Sequence, residues 1–482
     1  MILVNMALKK SHEFTFFIDH IKDEKLMAKI LAYQKVYQRI HAAILQGILK
    51  PGERIPAARV LSKEMGVARG TVEEGYAILK AEGYIESSGQ AGTRVSEKLL
   101  TPSKIEKPKV NTRQPGFTSE IQTAQLLPFQ LGIPALDAFP RKAWSRMAAR
   151  CARNINKDDL AYPCAYGLAP LRTSIAQYLQ LSRGVQCEPT QVFITSGYVN
   201  SINWITQVLL NAQSTIAIED PGYPLTAKIL KAKFSHIVSV PVDEEGINLP
   251  SNIAADVVIV TPTHQSPTCV SLSLQRRQAL LDWANRHQSW IIEDDYDGEY
   301  RHTGLPLPAL KSLDSQDRVV YSGTFSKVLV PSLRIAYIVV PKTKVQAFEQ
   351  CAELYAGNVA ALTQACVLAF IEEGQLSRHI QRMRKLYRER RELTARVFKQ
   401  ILGDKISIEN QPGGMHMIVK LNNPDINDVE LSNKMMAAGL FAQGLSQWSS
   451  RPVHPSLILS FTNICTEEEC KKLVYKIKAI GI

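Results

Sequence analysis

The segment YSGTFSKVLVPSLRIAY (321–337) carries the densest chemistry in the chain. An apolar strand entry leads into small hydroxylated residues. Lys327 follows, then an apolar run, then Arg334 seven residues after the lysine. A lysine in so dry a setting has a lowered pKa, and its amine can form a Schiff base with an aldehyde. Thr324, Ser326 and Arg334 have the groups that hold a phosphate. Upstream, IIEDDYDGEY (291–300) leaves a β-strand and presents Asp294 and Tyr296. A carboxylate there can keep a pyridine nitrogen protonated, which turns the ring into an electron sink. A tyrosine hydroxyl can donate to the ring's phenolate oxygen. A single lysine after a strand is ordinarily a snorkelling surface residue. The spacing of Lys327 with Asp294 33 residues before it and Arg334 seven after it argues against that reading.

These residues need a scaffold. From about 128 onward, helical patterns alternate with the β-rich runs VFIT, STIAIED, VVIVTP, SWIIEDDY and RVVYSGT. Strands separated by helix-length segments predict an α/β fold with a mostly parallel central sheet. Ahead of it, residues 96–127 have linker composition, with three lysines in six residues (104–109) and no period. Residues 33–95 form a separate small unit. Val36, Ile40, Ile44 and Ile48 recur every four residues, one face of a helix stopped by Pro51-Gly52. A second short helix spans Ala57–Met65, with Val60, Leu61 and Met65 inward. A third spans Arg69–Ala81, with Val72, Tyr76 and Leu79 inward. Gly89, Gly92 and Thr93 mark a hairpin tip. Three short helices and a hairpin make a winged helix-turn-helix, whose third helix can enter a major groove of double-stranded DNA. Residues 1–32 read as an extension with an apolar cluster at Phe14, Phe16, Phe17 and Ile18.

Composition agrees with this division. The chain has 482 residues, 45% hydrophobic and 21% charged, which suits two or three folded domains and excludes a disordered chain. The net charge of +12 suits a polyanionic partner. No apolar run reaches the about 18 residues of a membrane span. The N-terminus does not have the charge order of a signal peptide. Eight cysteines lie scattered without a CxxC pair, so neither a zinc site nor a disulfide framework is expected, and a cytoplasmic location with free thiols fits.

The stretch ILQGILKPGERIPAAR, with VARGTV and GQAGT after it, resembles the GntR-type winged helix. The resemblance implies that Arg59 contacts DNA phosphate, that Arg69 and Thr71 face the groove, and that Arg94 lies near the wing. Surface salt bridging is the bland alternative for Arg59 and Arg69. Ala57 and Ala68 stand where the family has serines, which removes two phosphate hydrogen bonds. Glu73 and Glu74 put negative charge on or beside the reading helix.

From about 128 to the end, the Lys327, Asp294 and Arg334 set resembles fold-type I, class I aminotransferases. With the winged helix, the whole architecture looks like the MocR family of regulators. That resemblance implies pyridoxal 5'-phosphate as cofactor, with Lys327 as the Schiff-base lysine. It puts Asp294 on the pyridine nitrogen, Tyr296 on the ring oxygen, and Arg334 and Thr324 on the phosphate. It also implies that Tyr223 of EDPGYP stacks on the ring and that Ser196 of ITSG helps bind phosphate at a helix start. It implies that Tyr162 reaches across a homodimer to the partner's phosphate, and the linker length and the family point to a head-to-tail dimer. Core aromatics are the bland alternative for Tyr223 and Tyr162, and a simple helix cap for Ser196.

Departures from the aminotransferase pattern are informative. Tyr198 and Val199 replace a small residue and Gln. Ser266-Pro267-Thr268-Cys269 stands for N-P-T-G. In SLILSFTN, Ile458 takes the place of the Arg that grips a substrate α-carboxylate, and the spacing of Arg451 and His454 does not make either a substitute. Two readings therefore stand: a regulator sensing an amine, an amino acid or the cofactor itself, and a working aminotransferase with an accessory DNA-binding domain.

Overall fold

A computed structural model of the chain describes residues 32–87, 92–98, 126–302, 307–355, 359–409 and 411–482. The expected apolar cluster at Phe14–Ile18, the hairpin tip at Gly89 and most of the linker lie outside the described residues. The chain divides into two units, Met1–Glu120 and Ile121–Ile482, with the boundary inside the expected linker.

The first unit has helices Ala32–Leu45, Ala58–Met65 and Arg69–Ala81, then strands β1 (Ile85–Ser87) and β2 (Thr93–Val95). The two strands pair antiparallel, Ile85 opposite Val95. Val36, Ile40, Leu61, Val72, Leu79, Ile85 and Val95 close the core. Two expected core positions differ. Ile48 lies beyond the helix end and is 42% exposed. The Leu49 N–H bonds the Ala43 carbonyl at 3.0 Å, which folds the chain back and gives the buried place to Leu49. Val60 is 50% exposed, because the helix turns about 100° per residue and Leu61 alone of the pair can face inward.

The second unit is built on an eight-stranded sheet. Its strands are β3 (Val192–Thr195), β4 (Thr215–Asp220), β5 (His236–Asp243), β6 (Gly246–Ile247), β7 (Val257–Val260), β8 (Trp290–Asp295), β9 (Val319–Thr324) and β10 (Ala336–Val339). The order is β3-β10-β9-β8-β7-β4-β5-β6. Strands β4, β5, β7, β8 and β9 run parallel, whereas β10 is antiparallel to both β9 and β3. Residues Val257–Val260 are buried throughout, as a strand covered on both faces must be. The 28-residue helix Gln375–Leu402 leads to a second, antiparallel sheet. That sheet holds β11 (Ile406–Ile408), β12 (His416–Leu421), β13 (Gln443–Gly444) and β14 (Ser456–Ser460) in the order β11-β12-β14-β13. Its core includes Met417, Val419, Leu457 and Leu459.

Candidate functional site

Open parallel sheets bind ligands beyond the carboxyl ends of their strands. Asp294 lies near the end of β8 and Thr324 is the last residue of β9, which puts both side chains at that edge. The chain then enters the short helix Phe325–Val328, where Thr324 Oγ1 accepts from the Ser326 N–H at 3.1 Å. This cap sets the turn that carries Lys327. Arg334 adopts a left-handed φ of 49° at the following turn.

A cavity of about 450 Å³ brings together Lys327, Asp294, Tyr296, Thr324, Ser326, Arg334 and Tyr223. Lys327 Nζ donates to the Gly132 carbonyl at 2.7 Å. Burial holds its ammonium below the usual lysine range, against the opposing pull of Asp297 and Asp294. Burial, reinforced by the Asp295 and Glu219 carboxylates, pushes Asp294 well above the usual carboxylate range. Such an acid ionises readily only beside a cation. The Tyr296 hydroxyl is buried and makes no hydrogen bond of ordinary geometry; Ser266 is the polar side chain that faces it. Tyr223 is 40% exposed, its ring 6.0 Å from Tyr198 and 5.7 Å from Trp448.

These residues fit pyridoxal phosphate on three counts. A buried phenol makes no hydrogen bond of ordinary geometry, and a buried acid lacks a settled cation. The third is space around the amine and the guanidinium. A Cβ at Gly132 would come within 2.7 Å of Lys327 Nζ, and one at Gly197 within 2.9 Å of Arg334 Nη2. Glycine at both positions leaves that room.

Ser196, expected at the phosphate, and Tyr162, expected at the partner's phosphate, are both absent from this lining. The Ser196 N–H is held by Asn200 Oδ1 at 3.1 Å. Tyr162 is fully exposed in the protomer. Several cavity residues carried no signal in the sequence. Gly132 comes from the segment ahead of the first helix of the unit, and His416, Phe441, Gln443 and Trp448 come from the C-terminal sheet region. Only tertiary folding brings them together. Ile458 also lines the cavity and is fully buried. Cys269, at the position where the aminotransferase motif has glycine, keeps a φ of 60°. Its Sγ is 3.4 Å from His416 Nε2, and burial pushes its thiol pKa well up, so it is no nucleophile.

In the first unit, Arg59, Arg69 and Arg94 are exposed and Thr71 is half-buried. Arg69 Nε is 2.8 Å from Glu73 Oε1, so the surface ion pair weighed as the alternative is formed. Arg94 Nη1 donates to the Gly52 carbonyl at 2.9 Å. Arg54, exposed and bridged to Arg94 across the backbone, joins this basic edge without having been anticipated.

Residues 129–477 match the family described as aminotransferase class I and II, and residues 32–95 match bacterial regulatory proteins of the gntR family. An uncharacterized HTH-type transcriptional regulator of Bacillus subtilis, YdeL, is 33% identical over 93% of this chain and 96% of its own length. The probable rhizopine catabolism regulatory protein MocR of Rhizobium meliloti is 32% identical over 91% of each. A multiple substrate aminotransferase from Thermococcus profundus superposes with a TM-score of 0.67, covering 75% of this chain and 92% of its own. At 24% identity that likeness is one of fold. A gntR-type winged helix and an aminotransferase-like unit run together along one chain, in relatives as here, and the chain belongs to the MocR-type family of regulators.

Proposed function

We propose that the protein is a DNA-binding transcriptional regulator whose large unit holds pyridoxal 5'-phosphate and responds to a small amine, an amino acid or the cofactor itself. The observation that carries this reading is the convergence of Lys327, Asp294 and Tyr296 on one cavity, with the Tyr296 hydroxyl unsatisfied. When bound, the cofactor supplies an aldehyde for an amine and a ring that accepts electrons. Lys327 offers the amine, its protonation disfavoured by burial. Asp294 offers the charge that pairs with a protonated ring nitrogen, and Tyr296 a hydrogen bond to the ring oxygen. Thr324, Ser326 and Arg334 offer phosphate contacts, and Tyr223 an aromatic face. Arg59, Arg69, Thr71 and Arg94 are assigned to the DNA interface, with Arg69 and Thr71 on the reading helix. A homodimer accounts for the exposure of Tyr162, which is assigned to the partner's phosphate.

The same cavity residues would permit an aminotransferase, but Ile458 at the carboxylate position weighs against it. The test is to load the full chain with pyridoxal phosphate, reduce with borohydride and map the modified residue. A covalent adduct on Lys327 is expected, and Lys327→Ala should lose it while still folding. A reducible adduct that persists in Lys327→Ala would sink the assignment.

A further inference from the structure

The apolar part of the cavity lining says what kind of ligand the site accepts. Strand β14 alternates: Leu457 and Leu459 pack into the core of the C-terminal sheet, and Ile458 faces the other way, onto the cavity. Leu131, Ile133, Met415 and Phe441 add further apolar side chains to the lining. Among the described residues, the only lysine or arginine side chains on the lining are Lys327 and Arg334. The function proposed above assigns both, one to the aldehyde and one to the phosphate.

Among the described residues of the one chain, the remaining basic group on the lining is His416. Its Nε2 lies 2.7 Å from the Pro267 carbonyl, so that nitrogen carries the proton and donates it there. Burial lowers its pKa against the opposing pull of the Pro267 bond, which favours the neutral ring. Gln443 is neutral, and its Oε1 already accepts from Trp448 Nε1 at 2.9 Å. The basic residues just before β14 turn elsewhere. Arg451 is half-exposed with Nε 3.8 Å from Asp220, His454 is exposed, and neither lines the cavity. A carboxylate against this lining would be buried without a charged partner, which costs far more than leaving it in water. A hydrocarbon chain or ring would gain from the same lining.

We propose that the effector is a primary amine with an apolar body and no carboxylate. This rests on the cavity holding pyridoxal phosphate, and it narrows the ligand from amines and amino acids in general to one class.

The test uses the full chain loaded with pyridoxal phosphate and dialysed free of excess. Two probe pairs differ only in the carboxylate: 3-methylbutylamine against leucine, and 2-phenylethylamine against phenylalanine. The cofactor's absorbance change and the melting temperature are followed during titration. Each amine should act at a concentration roughly 10- to 100-fold lower than its amino acid. Ile458→Arg should narrow or reverse that ratio. If that variant does not fold, the wild-type ratio decides alone. Equal or tighter action by leucine or phenylalanine overturns the proposal. So does an absorbance that answers to neither member of a pair while added pyridoxal phosphate alone alters DNA binding. Failure to take up the cofactor at all would overturn the reading beneath it instead, so the two failures are distinguishable.

Discussion

Arg69 opens its helix with the guanidinium engaged by Glu73, one turn on. An exposed pair of this kind is worth only about 0.3–0.5 kcal/mol, so it yields readily to a stronger acceptor on DNA. Arg69→Ala should therefore weaken operator binding by about 1–3 kcal/mol and relax preference at one base position. Fluorescence anisotropy with the native operator checks this, and unchanged affinity would mean that another element reads the groove. Glu219 has a different burden. It lies inside the large unit, accepts from the Thr261 backbone N–H at 3.1 Å and from the Thr261 hydroxyl at 2.6 Å, and burial still pushes its pKa up to about 7. A carboxyl whose folded pKa exceeds its unfolded value binds its proton more tightly when folded. Its contribution is present at low pH and is lost as pH rises through about 4.5 to 7. Relative to Glu219→Gln, the wild type should lose up to about 3 kcal/mol between pH 4.5 and pH 8. Urea unfolding of both proteins at the two pH values measures it, and parallel curves would refute the assignment.

At the scale of elements, helix ends are where this chain departs most from economy. Ala57 and Ala68 hold the extended backbone of a helix N-cap, with φ −62° and −63°, yet neither has a side chain that caps. The first N–H groups of both helices thus lack the bond that serine would make. Ala68→Ser should stabilise the small unit by roughly 1 kcal/mol, with the geometry already in place. Thermal unfolding would show the rise, and a lower melting temperature would contradict it. Thr324 shows the opposite case. Its hydroxyl caps the helix that carries Lys327, so one residue both ends β9 and starts the turn at the cavity. Helix Arg69–Ala81 was legible to the residue because its apolar period is regular. Ile48 and Val60 were not, because a repeat in sequence does not say where a helix stops or how wide its buried face is.

At the scale of the whole molecule, Tyr162 and Leu160, two residues apart in sequence, are exposed at 102% and 71%. Large apolar side chains left in water suit a surface that a second copy covers. A dimer of the large units is expected at micromolar concentration with cofactor bound, and light scattering will show it. A monomer under those conditions would remove the basis for assigning Tyr162 to a partner's site.

The sequence by itself determined the two-part organisation, the α/β class and the chemical identity of the lysine, aspartate, tyrosine and arginine set. These follow from local rules: helical period, strand patterning, and motifs confined to one strand-to-loop turn such as 321–337. Tertiary structure alone decided what surrounds that set. Gly132 meets Lys327 across 195 residues, and Cys269 meets His416 across 147. Ile458 reaches the cavity from a second sheet, and Trp448 from the turn Leu445–Trp448 that follows β13. No local pattern encodes such contacts, because they arise when separate elements bury their apolar faces against one another. Ile458 joins the two levels: its position in SLILSFTN is legible from the motif, but the strand pairing turns it toward the cavity while Leu457 and Leu459 fill the core.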